Sequence, residues 1–190
     1  MGVTNYVSLD SLFLSFFVLL INRGCYFQIG DKVNKSMSIE DGFKVALRTW
    51  REWVDKELDP KRSAVFFRTY SPTHFSGGTW RSGGGCHKET QPWPTGTKFE
   101  EEEEPWTNKH VRSETERLQD AGVRVLEVTN MSNYRKDAHS SIHHVGKEQP
   151  RPMRRQDCSH WCLPGLPDAW NELLFASFFS MINPNETYPR

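Results

Sequence analysis

The sequence predicts an α/β fold in which helices cover a parallel sheet. Three helical patterns alternate with two short strand-like runs between residues 38 and 179. That order implies parallel strands joined by helical crossovers. The first strand run is apolar and rich in aromatic residues, as a buried strand is. No internal repeat competes with this layout.

The elements follow in chain order. "LFLSFFVLLI" (12–21) is an apolar run, shorter than the ~20 residues that span a bilayer. Asp10 precedes it and Arg23 follows, so it lacks the basic start of a signal peptide. It stands as a poor signal or anchor giving membrane association through residues 6–21, as a buried strand, or as a stretch foreign to the domain. Ser38 with Asp41 resembles a capping box, and Phe43, Leu47, Trp50 and Val54 then recur at helical spacing until Asp59-Pro60. "AVFFRT" (64–69) is the first strand. A Gly- and Pro-rich stretch follows, then five glutamates, Glu100 to Glu104, expected on a solvated loop. "TNKHVRSETERLQDAG" (107–122) predicts a charged surface helix ending at Gly122, and "VRVLEVT" (123–129) the second strand. "PDAWNELLFASFF" (167–179) is the last helix.

The 190 residues suffice for a domain with a real core. Twenty-four basic residues balance twenty-four acidic ones, which removes the electrostatic case for a nucleic-acid partner. Seven Trp and twelve Phe suit a core or a carbohydrate groove alike. Cys25, Cys86, Cys158 and Cys162 allow three full pairings, among which sequence alone does not choose. Sequons at Asn34, Asn130 and Asn185 agree with the cysteines on an oxidising lumen.

Chemistry concentrates in "RQDCSHWCLPGLPDAWNELL" (155–174), where Asp157 and His160 lie three positions apart between two cysteines. A carboxylate can fix the tautomer of an imidazole and stabilise the imidazolium that forms, leaving the ring to act as a general base. In an α/β sheet, functional groups gather past the C-terminal ends of the strands. "YSPTHF" (70–75) and "NMSNYRKDAHSS" (130–141) follow the two strands, so three loops are expected to converge there with the Asp157/His160 turn. A zinc reading of "CSHWC" with Cys86-His87 lacks the C-x2-C spacing, and the lumenal signs favour disulfides; "HSSIHH" (139–144) is expected to be a polar loop rather than a metal site. No G-x-S-x-G elbow occurs. "IGDKVNKS" (29–36) has Lys32 where a Gly-Asp-Ser block would have serine, and no long buried strand precedes it.

"DCSHWCLPGLPDAWNELL", "FFRTYSPTHFSGGTW" and "NRGCYFQIGDKVNKSMSIEDGFKVALRTWREWV" together closely resemble the C-terminal half of the plant trichome birefringence-like proteins, over residues 22–180. The resemblance divides the chain into an unlike segment at 1–21, the C-terminal part of a PC-esterase-like domain at 22–182, and a tail at 183–190. It implies a partial SGNH/GDSL-like parallel sheet whose first strand, with its nucleophile block, is missing, leaving an open sheet edge. It further implies Golgi O-acetyltransferases acting on wall polysaccharides such as xylan, mannan, xyloglucan and pectin. Asp157 and His160 then take the acid and base places of a Ser-His-Asp triad, while the serine of the Gly-Asp-Ser block is absent from these residues. The resemblance also implies a Cys86–Cys158 disulfide and leaves Cys162 as a free thiol or in an intermolecular pairing. No bound cofactor or metal is expected, the acetyl donor being an acetyl-CoA-derived molecule. Candidate substrate-binding residues are His74, Trp80 and Arg135, with Trp93 a further ring face.

Two functions remain in view: the acid–base part of a polysaccharide O-acetyltransferase, inactive by itself, and an inert fragment or lumenal polysaccharide-binding module.

Overall fold

The computed structural model describes residues 5–9, 27–79, 82–97, 105–118, 122–144 and 156–184. The chain forms two compact units, one from residues 1–70 and 100–126, the other from 71–99 and 127–190.

The first unit holds the parallel sheet, with strand order β1 (Asn5–Leu9), β4 (Ser63–Arg68), β5 (Val123–Leu126). β4 is central, which is why Ala64, Val65, Phe66 and Phe67 are buried in succession rather than alternately. It pairs with β5 through Val65↔Val123 and Phe67↔Val125. On its other side it pairs with β1 through Val7↔Val65. The edge expected to be open is therefore covered by the segment that the sequence set apart from the domain. β2 (Phe27–Ile29) and β3 (Lys32–Asn34) form an antiparallel hairpin turning at Gly30, whose φ of 58° suits glycine. Lys32 thus sits on a short hairpin strand and not at a nucleophile turn.

Helix α1 (Ile39–Glu57) begins as expected: the Ser38 hydroxyl accepts a hydrogen bond from the Asp41 N–H at 3.0 Å. Its Phe43 and Leu47 pack with Phe67 of β4 and with Val111 of α2 (Trp106–Glu116). A second cluster joins Val54, Val65, Leu118 and Val123. Each such buried side chain stabilises the fold by about 1.5–3 kcal/mol relative to exposure. Between the helices, Arg51 Nε donates to Glu114 Oε2 at 2.8 Å. Helix α2 stops six residues before Gly122. The Leu118 N–H turns to the Thr115 carbonyl at 2.9 Å, and this tight turn buries Leu118.

The second unit contains α3 (Thr129–Asn133), a 3-10 turn at Lys136–Ala138, β6 (His139–Ser141), β7 (Asp157–Trp161) and α4 (Leu166–Ile182). Asp168 Oδ2 accepts from the Gly165 N–H at 2.7 Å and caps α4. The antiparallel β6–β7 pair was not anticipated, and it places the Asp157/His160 motif on a strand rather than a free turn. Among the described residues no helix is long and apolar enough to cross a membrane. Residues 10–21, Cys25, Trp80, Glu100 to Glu104 and Asn185 lie outside the described residues.

Candidate active site

Asp157 and His160 meet because β7 bulges. His139 pairs with Trp161 and Ser141 with Asp157, so three residues of β6 oppose five of β7. A bulge leaves the extra backbone groups without ladder partners. Asp157 Oδ1 takes up two of them, accepting from the N–H of Ser159 at 3.1 Å and of His160 at 2.9 Å. In a regular strand these side chains would point to opposite faces. In this turned strand, His160 Nδ1 lies 2.9 Å from Asp157 Oδ2 and 3.1 Å from Oδ1. A carboxylate can only accept, so Nδ1 carries the proton and Nε2 keeps its lone pair. The His160 side chain is 65% exposed and that of Asp157 is 21% exposed. Burial alone would raise the Asp157 carboxyl; the His160 and Ser159 N–H groups, together with the His160 ring, outweigh it and hold the carboxyl below its ordinary range. The geometry supplies an oriented base on an exposed side chain. The Ser159 hydroxyl donates to Asp157 Oδ1 at 3.1 Å, which puts it on the carboxylate and not in a nucleophile's place.

The three expected loops converge within this unit. The His74 N–H donates to the Cys158 carbonyl at 3.0 Å, and Trp161 Nε1 donates to Ser71 Oγ at 3.2 Å. The Cys162 N–H donates to the Ala138 carbonyl at 3.0 Å. Cys86 and Cys158 form a disulfide with a Cα–Cα separation of 5.8 Å, fastening the Gly-rich loop to β7. Buried Gln156 strengthens this joint: its Oε1 accepts from the N–H groups of Cys86 at 2.7 Å and His87 at 2.8 Å. Gly85 lies so close that an added Cβ would stand 2.6 Å from the Gln156 amide. Cys162 is exposed and free.

Of the candidate substrate residues, His74 is not open to a sugar along its whole edge, since its Nδ1 lies 2.8 Å from His139 Nε2. Arg135 makes a two-pronged ion pair with Asp137, Nε to Oδ1 at 3.0 Å and Nη2 to Oδ2 at 3.2 Å, which raises the guanidinium further above its ordinary value. Trp80 lies outside the described residues. Trp93 is 40% exposed, with Lys136 Nζ 3.8 Å from its ring centre and held by Glu89 at 2.6 Å. Among the described residues no cluster of three His, Cys, Asp or Glu side chains could hold a metal ion. Sequence reasoning missed His139, Gln156 and Trp161. His139 lay in "HSSIHH", read above as a polar loop.

Residues 15–177 match the family described as PC-esterase, the GDSL/SGNH-like acyl-esterases found in Pmr5 and Cas1p. Among curated proteins, the chain is 45% identical over 156 residues to the Arabidopsis thaliana protein trichome birefringence-like 1, covering 80% of this chain and 27% of that protein. It is 42% identical over 163 residues to the protein trichome birefringence of the same plant, covering 83% and 26%. It is 36% identical over 152 residues to xylan O-acetyltransferase 3 of Oryza sativa subsp. japonica, covering 75% and 33%. The chain therefore spans well under half the length of these relatives.

Proposed function

The chain belongs to the PC-esterase family of GDSL/SGNH-like acyl-esterases, and from that membership we propose that it carries the acid–base part of an O-acetyl transfer centre for plant wall polysaccharide. The observation that carries the proposal is the Asp157–His160 pair, with Nδ1 on the carboxylate and Nε2 free. The serine is supplied by a Gly-Asp-Ser segment outside these 190 residues, the first strand of the complete domain. His160 Nε2 takes the serine proton as the hydroxyl attacks the acetyl carbonyl, then returns it to the departing donor. A sugar hydroxyl next attacks the acyl-serine. His160 removes that proton and delivers it to the serine oxygen, and Asp157 stabilises the imidazolium each time. The reaction requires no bound cofactor, the acetyl group arriving on an acetyl-CoA-derived donor. Relatives named for trichome birefringence and for xylan O-acetylation support a wall polysaccharide as acceptor. A Golgi lumen is the compartment that suits both the acceptor and the Cys86–Cys158 disulfide.

The test is a graft. Residues 22–182 replace the corresponding part of a xylan O-acetyltransferase, and acetyl transfer to deacetylated xylan is measured. Activity that falls at least a hundredfold with His160→Ala is the expected result. A folded, disulfide-bonded graft without activity would sink the proposal. The chain alone is expected to give no turnover, and a fluorophosphonate label mapped to one of its own serines would contradict that.

A further inference from the structure

The peptide after His160 is met on its carbonyl side by His139. Its Nδ1 lies 2.9 Å from the His160 carbonyl oxygen. A carbonyl can only accept, so His139 carries a proton on Nδ1 and, being neutral, has a bare Nε2. That bare nitrogen is 2.8 Å from His74 Nδ1, and the His74 ring also hydrogen-bonds the Asn133 backbone. The His139 ring is only 6% exposed and stacks on Trp161 at 4.0 Å with an interplanar angle of 28°, while Trp161 is tied to Ser71. The pair is therefore held on three sides.

We propose that His139, with His74 behind it, is a positioning residue for the acid–base turn: the two rings lock the His160 backbone from its carbonyl side while Asp157 locks it from its N–H side. This rests on the reading of His160 as the base. His160 itself is exposed, and the His139 ring is a side-chain donor to its carbonyl. The charged and titratable groups bearing on the two rings are Asp157 and His160 on β7, Asp137 and Lys136 before β6, and Glu89 in the disulfide loop. His139 touches no reacting atom in this arrangement. Its effect passes through the orientation of His160, because a peptide free to rotate would let the imidazole leave the carboxylate.

The experiment is long-range proton–nitrogen NMR of the full oxidised chain labelled with 15N-histidine, which reads each ring's tautomer directly. His139 and His160 are both expected as the Nδ1–H form. In His139→Phe the Nδ1–H population of His160 should fall severalfold toward the mixture of a free imidazole. His139→Gln, whose amide can donate to the same carbonyl, should restore most of it. A His160 tautomer unchanged in a folded His139→Phe, or not restored by His139→Gln, overturns the positioning role and leaves the acid–base reading standing. A His160 already in the Nε2–H form in the unaltered chain overturns both. Should His139→Phe fail to keep its Cys86–Cys158 disulfide, His74→Phe decides: loss of the fixed His139 tautomer with a weakened His160 preference supports the proposal, and an unchanged His160 overturns it.

Discussion

At the scale of single residues, the site is governed by two opposite effects of burial. Asp157 is partly buried yet kept ionised by the N–H groups it accepts from, whereas burial of the His139 ring outweighs the pull of Asp157 and keeps it neutral. Burial is the main cause of the His139 shift, which brings the ring from 6.5 to about 4 against the favourable His160 carbonyl. His74 moves down for the same reason, with the hydrogen bond to the Asn133 backbone, Glu89 and Asp137 opposing and Lys136 assisting. Between about pH 6.5 and 4 the unfolded chain binds a proton at position 139 that the folded chain refuses. Stability therefore rises with pH across that window and levels off above it. Asp157 has the depressed pKa of a paired carboxylate, so its contribution is present above its ordinary value of 3.8 and is lost only below that. The expected outcome is that urea unfolding of the oxidised protein weakens by up to about 3 kcal/mol from pH 7 to pH 4.5. His139→Phe should remove most of that slope, and a slope retained in that variant would show that other groups cause it.

At the scale of elements, legibility followed periodicity. α1 and β4 were readable because each presents a regular apolar pattern long enough to dominate local alternatives. α2 was placed but overextended: Leu118 continues the helical spacing, yet it reaches the core from a turn. β6 and β7 were not readable, because "HSS" and "DCSHW" show no alternation and their pairing joins residues some twenty apart in sequence. The motif itself was legible as Asp157 with His160, but the strand, the bulge and the histidines that support it depend on tertiary contacts. Gln156 illustrates the same limit. Nothing local marks it, yet it accepts from two successive N–H groups of the disulfide loop and its Nε2 contacts His87 Nδ1 at 2.8 Å. Gln156→Leu keeps the volume and removes the acceptor, leaving the buried Cys86 N–H without this partner. The expected cost is about 1–3 kcal/mol by chemical denaturation with the disulfide intact. A change within a few tenths of a kcal/mol would mean that solvent replaces the amide.

At the scale of the whole molecule, the disulfide and the remaining cysteines decide how the chain behaves in an oxidising compartment. Cys86 and Cys158 are 72 positions apart, so their bridge stabilises the folded state by about 4 kcal/mol in the chain-entropy view. It closes a loop that contains β6 and ends in β7, two strands whose residues lie too far apart in sequence to find one another by local preference. Cys162 follows directly after β7, four residues from Cys158, and presents an exposed thiol. It cannot join the existing bridge without displacing a partner. In an oxidising medium an exposed thiol exchanges with a disulfide or is oxidised together with a second thiol, and between copies of this chain another Cys162 offers that second thiol. We therefore expect non-reducing electrophoresis of the oxidised chain to show a disulfide-linked dimer. Cys162→Ser should abolish that band while leaving the Cys86–Cys158 peptide intact in a protease map. A clean monomer with no alkylatable thiol would refute this, because it would require Cys162 to have closed on Cys25 within one chain.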